Sequence, residues 1–336
     1  MAVVIYPQTL DWDYMKQRPQ HLMTQLGRLG HTVFFINQKS SRNQYEEVSE
    51  NVFVVTDTKD LIARKLQQLR KIHKVVIWTT WPKLWKKIED FQPDRIIYDC
   101  CDEFPQWARY ERRMIQNADV IVCSAKTIFT RLNMRYPEKP IHLIRNGVDV
   151  SFFRNTPDER PSDLPTGKPI VGYVGAWAYW VDHDLMDKIC NTFTDVNFVI
   201  IGVPYGEVPA YGHENVFFLG AKPHEDLPKY LRHFDIGIVP FQYHPITLAT
   251  NPIKVYEYLS VGLTTLSTAL PECIAMEPHI TTATSHDDFI KKLEFLLKRI
   301  PSTKEIESRI QFARQNTWNK IGYLVHNIIQ QTLRKK

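Results

Sequence analysis

Lys254 and Glu257 are the two side chains in this chain whose type and spacing best suit joint chemistry. Three residues apart on a helix, an ammonium and a carboxylate share one face and would project together toward a ligand. The surrounding segment, Asn251 to Gly262, reads as a short helix. Asn251 is a favoured N-cap, Pro252 suits the first helical position, Ile253 follows it, and Gly262 suits the stop. An apolar run precedes it (235–240) and another follows (263–268), so the unit reads strand, loop, helix, strand. A helix opening at the carboxyl end of a strand is where open α/β sheets bind ligands and where first-turn amides favour phosphate. A solvated ion pair on an ordinary helix is the plain alternative.

The elements that must position this pair recur along the chain. Strands are expected at 3–6, 32–36, 52–56, 75–79, 96–100, 120–123 and 141–144. Helices are expected at 18–30, 61–69, 111–117 and 126–134. That alternation predicts a mostly parallel sheet with helices on both faces. A proline-rich stretch of low apolar content then reads as a linker, and the alternation restarts at Ile170. The expected division is 1–152, a linker 153–169, a second domain 170–315, and a C-terminal helix 316–336 that caps the second domain or crosses back to the first. A chain of 336 residues suits two domains, and two doubly wound domains joined by one linker leave a cleft suited to a ligand.

Composition narrows the function classes. No apolar run approaches membrane-span length, and Ala2 to Tyr6 is too short and too uncharged in front for a signal peptide. The five cysteines include no CxxC pair, which argues against a zinc site or disulfide framework and for a reducing, cytoplasmic setting. The formal charge of +5 is uneven: residues 1–150 carry 23 Lys/Arg against 17 Asp/Glu. The excess gathers in Arg64, Lys65, Arg70, Lys71 and Lys74, then Lys83, Lys86 and Lys87. Beside solvated helix faces, this suits an anionic membrane surface or a phosphorylated acceptor. No nucleic-acid partner is expected, since no binding motif accompanies the charge.

Several further motifs stand in a fixed order. In the first half they are Tyr6-Pro7 with Asp11-Trp12, Gln17-Arg18-Pro19-Gln20-His21, Tyr98-Asp99-Cys100-Cys101-Asp102, Asp119 with Ser124, and Arg145-Asn146-Gly147-Val148-Asp149. In the second they are Gly172-Tyr173-Val174-Gly175, Phe218-Leu219-Gly220, the 227–230 helix, the 251–260 segment and Pro271-Glu272. Together they make the chain resemble, over nearly its whole length, the GT-B glycosyltransferases of the retaining family 4, in the teichuronic-acid and exopolysaccharide subgroup. The resemblance implies an α/β fold of two Rossmann-like domains facing each other across a cleft. It implies a nucleotide diphosphate sugar, most simply UDP-linked, on the second domain and a glycan or lipid-linked hydroxyl acceptor on the first. No metal or other cofactor is expected.

Carried onto this sequence, the donor side comprises Glu257, Lys254, Asn251, Pro252, Ile253 and Gly175, with Trp177 and Trp180 as stacking candidates. Glu257 matches the second glutamate of the family's paired motif, which accepts hydrogen bonds from ribose hydroxyls; a carboxylate suits a diol because it offers two acceptor oxygens. Two departures stand out. Ala249 occupies the position of the first glutamate, and the loop 176–182 lacks the cations that many members place there. Diphosphate charge is then left to Lys254, Arg18 or helix amides. Asp11, Arg18 and Lys254 are the catalytic candidates, and Gln17, His21, Asp99 and Asp102 are expected to line the acceptor side. Asp11-Trp12-Asp13 and Asp182-His183-Asp184 also spell the metal-binding DxD of GT-A enzymes, but the duplicated α/β pattern opposes a single GT-A domain. A nucleotide-sugar 2-epimerase, or a scaffold that binds without turnover, are the competing readings.

Overall fold

In the computed structural model, which describes residues 1–39, 42–206 and 212–334, the chain divides into two compact units. The first comprises 1–146, 249–251 and 318–336; the second comprises 147–248 and 252–317. The proline-rich stretch thus belongs to the second unit, and the C-terminal helix to the first.

The first unit is built on strands β1 (Ala2–Tyr6), β2 (Thr32–Ile36), β3 (Glu46–Ser49), β4 (Val52–Val55), β5 (Lys74–Thr79), β6 (Arg95–Cys100), β7 (Val120–Cys123) and β8 (Ile141–Leu143). They lie in the order β3-β4-β2-β1-β5-β6-β7-β8, all parallel except β3 against β4. The central strands are buried along nearly their whole length, as expected of a parallel sheet covered on both faces, and so read as unbroken Val/Ile runs.

The second unit carries β9 (Ile170–Val174), β10 (Trp177–Ala178), β11 (Asn197–Ile201), β12 (Pro204–Tyr205), β13 (Val216–Gly220), β14 (Ile236–Val239), β15 (Thr264–Thr268) and β16 (Thr281–Ala283). Its main sheet is parallel in the order β13-β11-β9-β14-β15-β16, with β10 and β12 pairing separately. Strand order reverses between β9 and β14 here, and between β1 and β5 in the first unit. At such reversals the following helices diverge to opposite faces and leave a crevice at the carboxyl ends.

The helices that matter for function are α1 (Arg18–Arg28), α2 (Ala108–Asn117), α3 (Val150–Asn155), α4 (Leu227–Leu231), α5 (Ile253–Ser260) and α6 (Trp318–Arg334). Helix α5 buries Val255, Tyr256, Tyr258 and Leu259. It starts one residue later than the sequence suggests. Pro252 is its N-cap, without a side-chain cap. Asn251 is not the cap: its side-chain carbonyl accepts the Asn146 N–H at 2.8 Å, and its backbone carbonyl accepts Asn146 Nδ2 at 2.6 Å, both within the first unit.

Candidate functional site

In the second unit, Lys254 and Glu257 project from the first turns of α5 at the strand-order reversal. The Lys254 ammonium lies 3.4 Å from the Tyr173 hydroxyl, on β9, and 4.6 Å from the ring centres of both Tyr173 and Phe241, which follows β14. Two aromatic faces hold a cation in place while removing it from water. That desolvation lowers the Lys254 pKa to about 8, against the opposing pull of Glu257. Gly175 makes room for the ammonium: its φ is +141°, and a Cβ there would stand 2.8 Å from Lys254 Nζ. Gly202 in turn gives Gly175 its space, since a Cβ at 202 would meet the Gly175 carbonyl at 1.9 Å.

Glu257 is buried, and His224 is its neighbour: Nε2 lies 3.5 Å from Glu257 Oε1. His224 was missed by sequence reasoning, because a lone histidine in a turn carries no spacing signal. Trp177 is buried against the rings of Tyr173, His183 and Phe218. Trp180 is half-buried between Tyr179 and Tyr205. Asp182 accepts the Leu185 amide at 2.9 Å and the His286 Nε2 at 2.8 Å, which makes it a helix cap. Among the described residues, no group of three His, Cys, Asp or Glu side chains could hold a metal ion.

The first unit gathers a separate polar cluster at the carboxyl ends of its central strands. Arg18 opens α1 and is buried, with Nε donating to both Asp99 oxygens at 3.1 and 2.8 Å. Its Nη1 donates to Asn146 Oδ1 at 2.9 Å, and Nη2 has no partner among the described residues. Asp99 also accepts Trp78 Nε1 at 3.0 Å. Burial raises the Asp102 pKa, helped by nearby Asp99, while Cys101 Sγ lies 3.5 Å from its Oδ2. Asp11 instead ties two loops of the first unit together, accepting the backbone amides of Gln38 and Lys39 in the segment after β2. Gln17 accepts the His21 amide through its carbonyl, and the His21 ring stacks on Trp318 at 4.6 Å. Ala249 packs in the apolar core of this unit.

Residues 168–299 match the family model described as glycosyl transferases group 1. The chain is 24% identical over 275 residues to TuaH of Bacillus subtilis (strain 168), a protein named for teichuronic acid biosynthesis glycosyl transfer, covering 72% of this chain and 68% of that one. Sucrose-phosphate synthase from Thermosynechococcus elongatus superposes over all of both chains with a TM-score of 0.74 at 14% identity. Anabaena HepE, solved with UDP and glucose, superposes over 98% of this chain and 99% of its own with a TM-score of 0.68 at 12% identity. The chain is a glycosyltransferase of GT-B fold, with its match to the group 1 glycosyl transferases lying over residues 168–299.

Proposed function

We propose that the chain is a retaining, metal-independent glycosyltransferase that moves a sugar from a UDP-linked donor to a hydroxyl of a cell-surface polysaccharide or glycolipid precursor. One observation carries the donor assignment: Lys254 and Glu257 stand together on α5 beside the carboxyl ends of β9 and β14. In this reading Glu257 accepts hydrogen bonds from the ribose diol, and the Lys254 ammonium with the first amides of α5 binds the diphosphate. The complex of HepE with UDP and glucose, and the teichuronic-acid name of TuaH, support the donor and the product class.

During transfer the bond from the anomeric carbon to the β-phosphate oxygen breaks while a bond to the acceptor oxygen forms. Charge grows on the leaving diphosphate, so a fixed cation lowers the barrier most where that charge develops. Delivery of the hydroxyl on the leaving-group face lets the departing phosphate take its proton, so no protein base is required. Arg18, with Asp99 fixing its orientation and Nη2 left over, is the acceptor-side candidate; Asp102 lies near it.

The acceptor reading places the protein on the inner face of the cell membrane. No helix among the described residues is long and apolar enough to cross one. The support lies in the first unit. Lys83, Lys86, Lys87, Arg109, Arg112 and Arg113 are all exposed there. Lys83 sits 5.4 Å over the Trp81 ring and Arg113 4.9 Å over Trp85. Half-exposed tryptophans beside cations suit an anionic headgroup layer.

The test is a nucleotide-sugar panel scored by thermal shift, followed by turnover with lipid-linked acceptors. UDP-sugars should stabilise most, and UDP should be released only when acceptor is present. Interconversion of free nucleotide sugars without acceptor would identify an epimerase, and binding with no turnover would leave a scaffold. Glu257→Ala should weaken the donor about 10- to 100-fold, the worth of a charged hydrogen bond. Wild-type donor affinity in that variant would refute the assignment.

A further inference from the structure

Glu257 has an acid's desolvation problem: its carboxylate is buried, yet a ribose diol would need both oxygens held in one orientation. The side chain that meets it within the second unit is His224, with Nε2 at 3.5 Å from Oε1. That is an ion-pair distance, longer than a well-formed N–H···O bond, so the carboxylate keeps lone pairs for a ligand.

The histidine itself is held from three directions. Its ring stacks on Phe152, with centres 5.1 Å apart and planes 16° from parallel, and meets Phe153 edge-on at 5.7 Å. Its backbone carbonyl accepts the Leu227 amide at 3.3 Å, where α4 begins. Phe152 is fixed in turn because Asp149 caps α3, accepting the Phe152 amide at 3.0 Å. Three separate segments of the unit therefore converge to set one imidazole against one carboxylate.

We infer that His224 is a positioning residue for nucleoside recognition: stacked on Phe152, it orients the Glu257 carboxylate so that its oxygens receive the two ribose hydroxyls. The inference rests on the donor reading and adds to it the residue that gives the site its preference for an intact diol. A histidine present only to fill space would support every nucleotide equally. One that aims Glu257 would matter only for ligands carrying the hydroxyls.

The experiment compares binding of UDP and of 2′,3′-dideoxyuridine diphosphate by titration calorimetry. It uses the full chain as wild type, His224→Phe, His224→Gln and Glu257→Ala. His224→Phe keeps an aromatic ring on Phe152 but removes the N–H; His224→Gln restores an amide donor. UDP affinity should fall about tenfold in His224→Phe, the scale of one ribose hydroxyl's hydrogen bond lost from a misaimed carboxylate, while the dideoxy analogue stays within about twofold of wild type by the same reasoning. His224→Gln should recover part of the loss. Equal losses for both nucleotides would show a merely structural role, and unchanged UDP binding would show none; either overturns the inference. Wild-type protein that does not bind UDP, or binds both nucleotides alike, refutes the donor reading itself.

Discussion

Lys254 is the residue whose environment makes the sharpest claim. Burial against Tyr173 and Phe241 brings its pKa down to about 8, so near neutrality it is charged but only narrowly. An anionic diphosphate binds the charged form, and its own phosphates are already ionised above about pH 7. Affinity for nucleoside diphosphate should therefore be greatest near pH 7, where both charges are present, and fall as pH rises through about 8. Binding at pH 8.5 should take up a proton, measurable by calorimetry in buffers of different ionisation enthalpy. Lys254→Arg should flatten the profile, because guanidinium stays charged; a wild-type profile flat to pH 10 would remove Lys254 from the diphosphate. Gly175 offers an independent check on the same contact. Gly175→Ala forces a Cβ onto the ammonium at a φ of +141°, with backbone strain on the order of 1–3 kcal/mol. It should lower both thermal stability and diphosphate affinity, and undiminished affinity would show that the ammonium's seat is irrelevant to binding. The three-residue spacing made Lys254 and Glu257 legible before any coordinates. Gly175 was named through the family resemblance, but the seat it makes for the ammonium was not legible, nor was His224, because both depend on turns that meet α5 from distant parts of the chain.

At the scale of elements, what could be read followed from burial. Strands such as β9 and β14 are covered on both faces, so their apolar runs mark their positions without help from context. Elements defined by pairing rather than burial were invisible. β3 is charged and partly exposed, and β10 and β12 are two residues each. The start of α5 was misplaced for a related reason: Asn251 has good capping chemistry, but Asn146 claims its side chain. Helix α2 and the turns at 82–91 carry the element-level prediction. Their packing brings Arg113 over Trp85, and the exposed cations make a surface that should bind anionic vesicles. The variant Lys86→Glu, Lys87→Glu, Arg112→Glu, Arg113→Glu should lose co-sedimentation with phosphatidylglycerol vesicles. Each neutralised cation near the surface is worth about 1 kcal/mol, and four reversals should abolish binding. Turnover on a short soluble acceptor should be unchanged. Equal sedimentation of variant and wild type would refute the membrane contact.

For the whole molecule, the doubled α/β pattern was readable as two units, but their membership was not. The amphipathic stretch 318–333 announced a helix and left open which body it serves; in the structure α6 belongs with the first unit. Part of what fixes it there is a histidine pair. His31 is fully buried; its Nδ1 accepts the Ala2 amide at 3.2 Å, so its proton must sit on Nε2, which lies 2.9 Å from His326 Nδ1 on α6. Protonating His31 would set an N–H against the Ala2 amide in a dry site, and burial, then the neighbouring His326, lowers its pKa to about 4. The folded state therefore binds fewer protons than the unfolded one between about pH 4 and the unfolded value near 6.5. Stability is undiminished above that window and falls as pH drops through it, by up to about 3 kcal/mol at one 1.36 kcal/mol step per pH unit. His31→Leu removes the titrating group and the Ala2 bond together. It should lower the urea midpoint at pH 7 but make the midpoint less sensitive to a change from pH 7 to pH 5 than in wild type. An equal loss on acidification in both proteins would place the acid sensitivity elsewhere and leave the histidine pair as packing alone.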